Sequence, residues 1–183
     1  MQILFYQKKI KYDGAQIAPH WALRKFKLAG DSIVAFTGPC DIPFKNMADL
    51  QDVLENSRIY SRMMLHFIIE HFGCPLELGI CRQRIFTQIA KDALQELTGT
   101  VFTRKGDDIY DGKYKVSISI AAPSVVSCKI HFGINIDARK APVPAKGLED
   151  YKIAPKPFAS DIMECYAEEL ASITQAKCKV RII

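Results

Sequence analysis

Residues 106–120 read GDDIYDGKYKVSISI: two aspartates, a glycine turn, then a run in which polar and apolar side chains alternate. Successive side chains of a strand point to opposite faces, so Lys115, Ser117 and Ser119 are predicted on one face and Val116, Ile118 and Ile120 on the other. One face packs on a core, and the other meets water, a ligand or a partner. Residues 127–137, SCKIHFGINID, repeat the alternation, setting Cys128, Ile130, Phe132, Ile134 and Ile136 against Lys129, His131, Gly133, Asn135 and Asp137. The short connection AAPS (121–124) predicts an antiparallel pair that brings Lys115, Ser117 and Ser119 onto one face with His131, Gly133 and Asn135. Small serines and a glycine leave room for a ligand lying on the sheet, and a histidine beside a lysine and an amide suits an anionic or carbonyl-bearing one. A plain solvated sheet face is the alternative.

The period-two pattern extends back through VFTR (101–104) and DDIY (107–110), with Asp111-Gly112 as a hairpin turn, so residues 101–137 are predicted as an antiparallel meander. Upstream, RIYSRMMLHFIIEHF (58–72) is apolar almost all round and is followed by Gly73 and Pro75, which predicts a helix. On it Arg62, His66 and Glu70 form a polar stripe, read either as a solvent-facing ladder or as a His–Glu pair on a pocket wall. LELGICRQRI (76–85) is predicted as a strand carrying Arg82 and Arg84 on one face, and FTQIAKDALQELTG (86–99) as a second helix. Towards the N-terminus come a short strand (2–7), a turn at Asp13-Gly14, a helix (20–30), a buried strand (32–38), the loop GPCDIP and a short helix within 45–57. A Pro- and Lys-rich connection (138–157) leads to an amphipathic helix (158–177) with Phe158, Ile162, Tyr166, Leu170 and Ile173 inward, and CKVRII (178–183) is predicted as a closing strand. The expected whole is a single α+β domain, residues 1–183, with one core and a mainly antiparallel sheet flanked by helices.

At 183 residues such a chain buries roughly two thirds of its unfolded surface. Its 49% hydrophobic share and 10% aromatic content exclude a disordered or fibrous class. The longest apolar run, MMLHFII, falls far short of the roughly 20 residues that cross a bilayer, so no membrane partner is expected. The six cysteines are dispersed without a C-x-x-C pair, which predicts reduced thiols and a cytoplasmic location. A net charge of +5 spread through the chain permits an anionic ligand without demanding nucleic acid, for which no stacking-aromatic motif is present. His66, His71, Cys74 and Cys81 lack zinc-ligand spacing, and neither a nucleophile elbow nor a glycine-rich phosphate loop occurs.

DDIYDGKYKVSISI followed by HFGINID resembles the signature of biotin and lipoate protein ligases, over residues 85–137. Asp107-Asp108-Ile109 stands where those enzymes have Asn-Asp-Ile, Lys115 on their catalytic lysine, and Gly133-Ile134-Asn135 on their later strand. The whole chain, with YDGAQIAP, GDSIVAFTGPCD and HFIIEHF, resembles a mostly archaeal family of uncharacterised proteins in the same superfamily. The resemblance implies the fold shared by these ligases and the class II aminoacyl-tRNA synthetase core. It also implies ATP with Mg²⁺ as cofactors, a small carboxylate or nucleotide as partner, and formation of an acyl-adenylate; binding without catalysis on the same face is the alternative. Lys115 would follow the charge from acid to phosphorane, with Ser117, Ser119, His131 and Asn135 as ligand contacts. Arg82 and Arg84 would be phosphate clamps or simply surface arginines, and Arg104 a ligand contact or a neutralising partner of the aspartates. Asp107 and Asp108 would hold Mg²⁺ or merely open a strand. A homodimer is the assembly considered. The chain departs from the ligases in FTGPCDIP, which lacks the arginines of their adenylate loop, and in Ile118, where they carry a glycine. On an open ligand face, Lys115→Ala is expected to shift stability by under about 0.5 kcal/mol.

Overall fold

In the computed structural model, which describes residues 1–181, the chain runs β1 (Gln2–Tyr6), α1 (Trp21–Phe26), β2 (Ser32–Asp41), α2 (Leu50–Leu54), β3 (Tyr60–Phe72) and α3 (Leu76–Thr98). It continues through β4 (Thr103–Lys105), β5 (Asp108–Asp111), β6 (Tyr114–Lys115), β7 (Ser117–Pro123), β8 (Ser127–Asp137) and α4 (Pro155–Cys178). The main sheet has the order β1-β2-β3-β8-β7, antiparallel except for the parallel edge pair β1–β2, while β4, β5 and β6 form a small second sheet. The α+β architecture thus follows the expectation from the sequence.

Three assignments are corrected. Residues 60–72 form the 13-residue central strand β3, because a strand buried on both faces is a continuous apolar run with no visible period of two. Residues 76–85 are the first turns of the 23-residue helix α3, so Arg82 and Arg84 stand on a helix and no strand precedes it. Gly79 permits the close docking of that helix, since a Cβ there would lie 2.1 Å from the Cys128 sulfur. At the C-terminus Cys178 ends α4 and Lys179–Arg181 form no strand; the remainder of the expected closing strand, residues 182 and 183, lies outside the described residues.

Both faces of the sheet carry apolar clusters, in place of the one core expected. Odd-numbered β3 residues (Leu65, Phe67, Ile69) join Ile130, Phe132 and Ile134 of β8 beneath Phe86, Ala90 and Leu94 of α3 and Phe158, Ile162 and Tyr166 of α4. Full burial of each such side chain stabilises by about 1.5–3 kcal/mol. Further along α4, Ile173 is exposed, not inward. Val34, Phe36, Met64 and Ile68 point the other way, where Tyr12, Ile17, Trp21 and Phe26 of the N-terminal segment cover them. That cover is incomplete, and the uncovered end is the candidate site.

Candidate functional site

A cavity of about 430 Å³ opens on the face of the sheet opposite α3 and α4. Its floor includes Met64, Ile118, His131 and Asn135, its walls the segment carrying α2 and residues 141–145, and its end Asp107, Asp108 and Lys115. Of the small-residue room expected above Gly133, little is free: a Cβ there would meet the Met64 methyl at 2.8 Å.

Lys115 is held in place by its backbone. Its N–H donates to Pro144 O at 2.9 Å, its carbonyl accepts from Lys146 N at 3.1 Å, and Tyr110 pairs with it across β5–β6. Lys115 Nζ lies 2.7 Å from Asp108 Oδ2, the two side chains being 29% and 18% exposed. Burial pushes the Asp108 carboxyl above the usual carboxylate range although Lys115 opposes the shift. Burial also draws the Lys115 ammonium down, but the adjacent Asp108 charge and hydrogen bond hold it above its ordinary value. This ion pair argues for a larger effect of Lys115→Ala than the expected 0.5 kcal/mol, because removing it leaves a largely buried carboxylate without its partner.

Alternation breaks between Lys115 and Ser117. Val116 is fully buried in the helix-side cluster, its N–H donating to Ile109 O and its carbonyl accepting from Asn135 N. Beyond that irregularity β7 pairs Ser117 with Ile134 and Ser119 with Phe132, so both serines share the helix-covered face and not the face of His131 and Asn135. Ser117 Oγ accepts from Ile109 N at 2.8 Å, a structural bond. Ser119 Oγ donates to His131 O and accepts from Gln83 Nε2, each at 2.8 Å, while the residue still borders the cavity.

The arginines disperse. Arg84 reaches Asp107 at 3.0 Å, where Gln83 Nε2 satisfies the second carboxylate oxygen at 2.9 Å. Arg82 lies on the other side of the sheet, where its charge acts on the Asp31–His71–Tyr166 cluster. Arg104 bonds Gln88 and the Gly106 carbonyl, so it neutralises neither aspartate: Arg84 pairs with Asp107 and Lys115 with Asp108. As a resident Mg²⁺ site Asp107 and Asp108 fit poorly: arginine and lysine already engage them, and no group of three or more metal-ligating side chains exists among the described residues.

Asn135 Nδ2 donates to Lys146 O at 3.4 Å and its Oδ1 accepts from Ser61 Oγ at 2.8 Å. His131 is 2% exposed and stacks on Tyr12, ring centroids 3.6 Å apart, and its Nε2 lies 3.0 Å from Nδ1 of His66. His66 and Glu70 do share a stripe, though on a strand and fully buried, not on a solvent-facing helix. Burial lowers the pKa of His66 to about 3, and burial together with the neighbouring His66 carries His131 well below its ordinary value. Tyr12, Asp52 and Ser61 were not singled out from the sequence. For Asp52, burial and the Asp49 charge raise the carboxyl's pKa. The signal for Tyr12 was the Asp13-Gly14 turn after it, which folds the N-terminal segment back over the sheet.

Solved structures similar to this one share its fold. A protein of unknown function from Pyrococcus horikoshi superposes with a TM-score of 0.94 at 35% identity, over 100% of this chain and 98% of that one. Biotin protein ligase from Aquifex aeolicus, in complex with biotin and ATP, gives a TM-score of 0.65 at 18% identity, over 95% of this chain and 72% of the ligase. Protein Ta0514 of T. acidophilum, with bound lipoic acid, gives 0.60 at 12% identity, over 93% and 87%. The ligase-like core inferred from the lysine motif is therefore the observed fold. Among curated proteins, the uncharacterized protein MJ0805 of Methanocaldococcus jannaschii is 36% identical over 159 residues, 84% of this chain and 72% of that protein. Residues 1–181 match the profile described as a domain of unknown function, DUF366, and the chain belongs to that family.

Proposed function

We propose that the cavity binds a small organic acid with its carboxylate at Lys115. The observation that carries this reading is the placement of Lys115, a cation held by its backbone and by Asp108 at the end of an open cavity, on a fold whose other members include proteins solved with biotin and with lipoic acid. An incoming carboxylate shares or replaces Asp108 at the ammonium, a charge-assisted contact of about 1.5–3 kcal/mol. The six cysteines are free, in keeping with the cytoplasmic location we also propose.

A second reading, activation of that acid by ATP, draws on the likeness to a ligase solved with ATP. In it a carboxylate oxygen attacks the α-phosphorus, the acyl–phosphate bond forms and pyrophosphate leaves, with Lys115 tracking the charge. The cavity's electrostatics favour binding over this step. Asp49, Asp52, Glu55, Asp107 and Asp108 line it against Lys115 and Arg58, an excess of carboxylates that repels a free triphosphate. Arg82 and Arg104 supply no compensating clamp, and Mg²⁺ would have to arrive with the nucleotide.

Thermal unfolding with a panel of small acids, each with and without ATP and Mg²⁺, separates the readings. An acid at 100 times its dissociation constant adds about 2.7 kcal/mol of stability. Stabilisation by one acid alone, abolished in Lys115→Ala, is the result expected of the first reading. Pyrophosphate release dependent on that acid establishes the second, in which Lys115→Ala lowers turnover more than substrate affinity. No shift with any acid removes both.

A further inference from the structure

The floor of the cavity contains a hydrogen-bond relay whose direction is set by its far end. His66 Nε2 lies 3.2 Å from the carbonyl oxygen of Gly38, which can only accept, so the proton of neutral His66 sits on Nε2. Its Nδ1 is then a bare lone pair, and the partner at 3.0 Å, Nε2 of His131, must donate to it. Neutral His131 has one ring proton, so its Nδ1 carries none. Burial keeps both rings neutral.

Nδ1 of His131 has no hydrogen-bond partner among the described residues. Ser32 Oγ is the one sealed side-chain polar atom there without a partner, so Nδ1 is not sealed, and the ring lines the cavity. The same holds for the hydroxyl of Tyr12, a residue 1% exposed. Tyr12 is itself fixed: its N–H donates to Pro39 O at 2.9 Å and its carbonyl accepts from Asp41 N at 3.0 Å, which clamps the ring that stacks on His131. A buried acceptor held so rigidly and left without a donor costs about 1–3 kcal/mol unless water or a ligand supplies one.

We infer that His131 is a specificity-determining residue that presents a fixed lone pair to the cavity, so that the ligand carries an N–H or O–H donor at the end remote from Lys115. Along β8, Asn135 is anchored to Val116 beside Lys115, and His131 stands four residues before it, roughly 13 Å away at the usual strand rise. The ligand class is therefore an extended acid with a terminal hydroxyl, amine or amide, and an anionic group at His131 is excluded because two lone pairs would meet there. The carboxylate half rests on the function proposed above, whereas the donor half does not.

The probes are octanoate, its terminally hydroxylated and terminally methoxylated counterparts, and the carboxylate-free pair hexanol and hexyl methyl ether. Titrations are followed by the ring resonances of ¹⁵N-histidine-labelled protein, which also report the tautomers before any probe is added. The expected result is an unprotonated Nδ1 and protonated Nε2 on His131, with the hydroxylated acid binding about tenfold tighter than its methyl ether, one hydrogen bond's worth. In His131→Phe that preference disappears. A protonated Nδ1, equal binding of hydroxyl and ether by the unmodified protein, or no binding by any probe overturns the inference, and none of these readings needs the variant to fold. A hydroxyl preference confined to the carboxylate-free pair upholds the relay and overturns the small-acid reading instead.

Discussion

Two lysine–carboxylate pairs invite comparison, one between β3 and β8 of the main sheet and the other on the small sheet at the end of the cavity. At one, Lys129 Nζ lies 2.9 Å from Glu70 Oε2 with the side chains 1% and 2% exposed. The other oxygen of Glu70 accepts from His20 N and Ser127 Oγ, both at 2.8 Å, so the site is closed by α1 and the β7–β8 hairpin. At the other, Lys115 and Asp108 make a shorter contact, 2.7 Å, but the side chains are 29% and 18% exposed and border a cavity. Distance does not separate the sealed pair from the open one; what covers each does. Glu70 is held below the usual carboxylate range despite burial by three donors, while Asp108, with Lys115 alone, is left above it.

Between the two ends lie the buried histidines, and they give the largest expected effect. Their folded pKa values are depressed, so as pH falls below about 6.5 the unfolded chain takes up protons that the folded one refuses. Stability is fully present above that pH and is lost progressively towards pH 3, where His66 itself titrates. His66 alone contributes a slope of about 1.4 kcal/mol per unit through most of this window, and the depressed His131 adds to it in the same direction. Burial lowers His71 too, and it adds in the same direction. Denaturant titrations across this window check the slope, and a flat profile would show the histidines to be hydrated and the face open.

Lys129→Met breaks the sealed pair. Removing one member of a buried ion pair strands the other, and a loss of about 3–5 kcal/mol in unfolding free energy is expected, with no effect on probe binding in any variant that remains folded. A loss below 1 kcal/mol would mean that water reaches Glu70, and the contrast between the ends would fail.

How much of this was legible in the sequence differs between the same regions. The alternation of residues 127–137 placed Lys129, His131 and Asn135 on one face correctly, because β8 pairs with β3 in unbroken register from Ser127 to Asn135 and shifts only beyond it. For residues 115–119 the same rule failed: the chain leaves the small sheet at Lys115 and enters the large one at Ser117, and the irregular Val116 shifts every later side chain by one position. His66 was visible as the polar residue interrupting an apolar run. Its partner was not, since cross-strand contact between β3 and β8 depends on a register no local pattern encodes. The lysine motif located one end of the cavity, whereas the wall containing Asp52 comes from a segment of weak helical pattern.

At the open end, Lys115→Ala is expected to lower stability by about 1–3 kcal/mol, less than at the sealed end because solvent can rehydrate Asp108. Affinity for the bound acid should fall ten- to a hundredfold. Lys115→Ala paired with Asp108→Asn tests the assignment of the stability loss: the double variant should recover most of it without recovering binding. Equal stability of the single and double variants would locate the loss in packing of the lysine stem instead.

The smallest effect is expected at Arg104, which the sequence placed among the ligand contacts. Its guanidinium bonds Gln88 Oε1 at 3.2 Å and the carbonyl of Gly106, on an exposed stretch of β4 outside the cavity. Exposed contacts of this kind are worth little, since the freed groups return to water and the long side chain regains its rotamers. Arg104→Ala should therefore change the unfolding free energy by under about 0.5 kcal/mol and leave the affinity of the acid unchanged. Arg84→Ala is the sharper control beside it, because Arg84 touches Asp107, which does border the cavity, at 3.0 Å. If the guanidinium matters only through position, calorimetry of the two variants with the same acid gives a change for Arg84 and none for Arg104. A tenfold loss of affinity in Arg104→Ala would instead mean that charge reaches the ligand from beyond the cavity wall, and the distinction between covered and open ends would give way to one of net field.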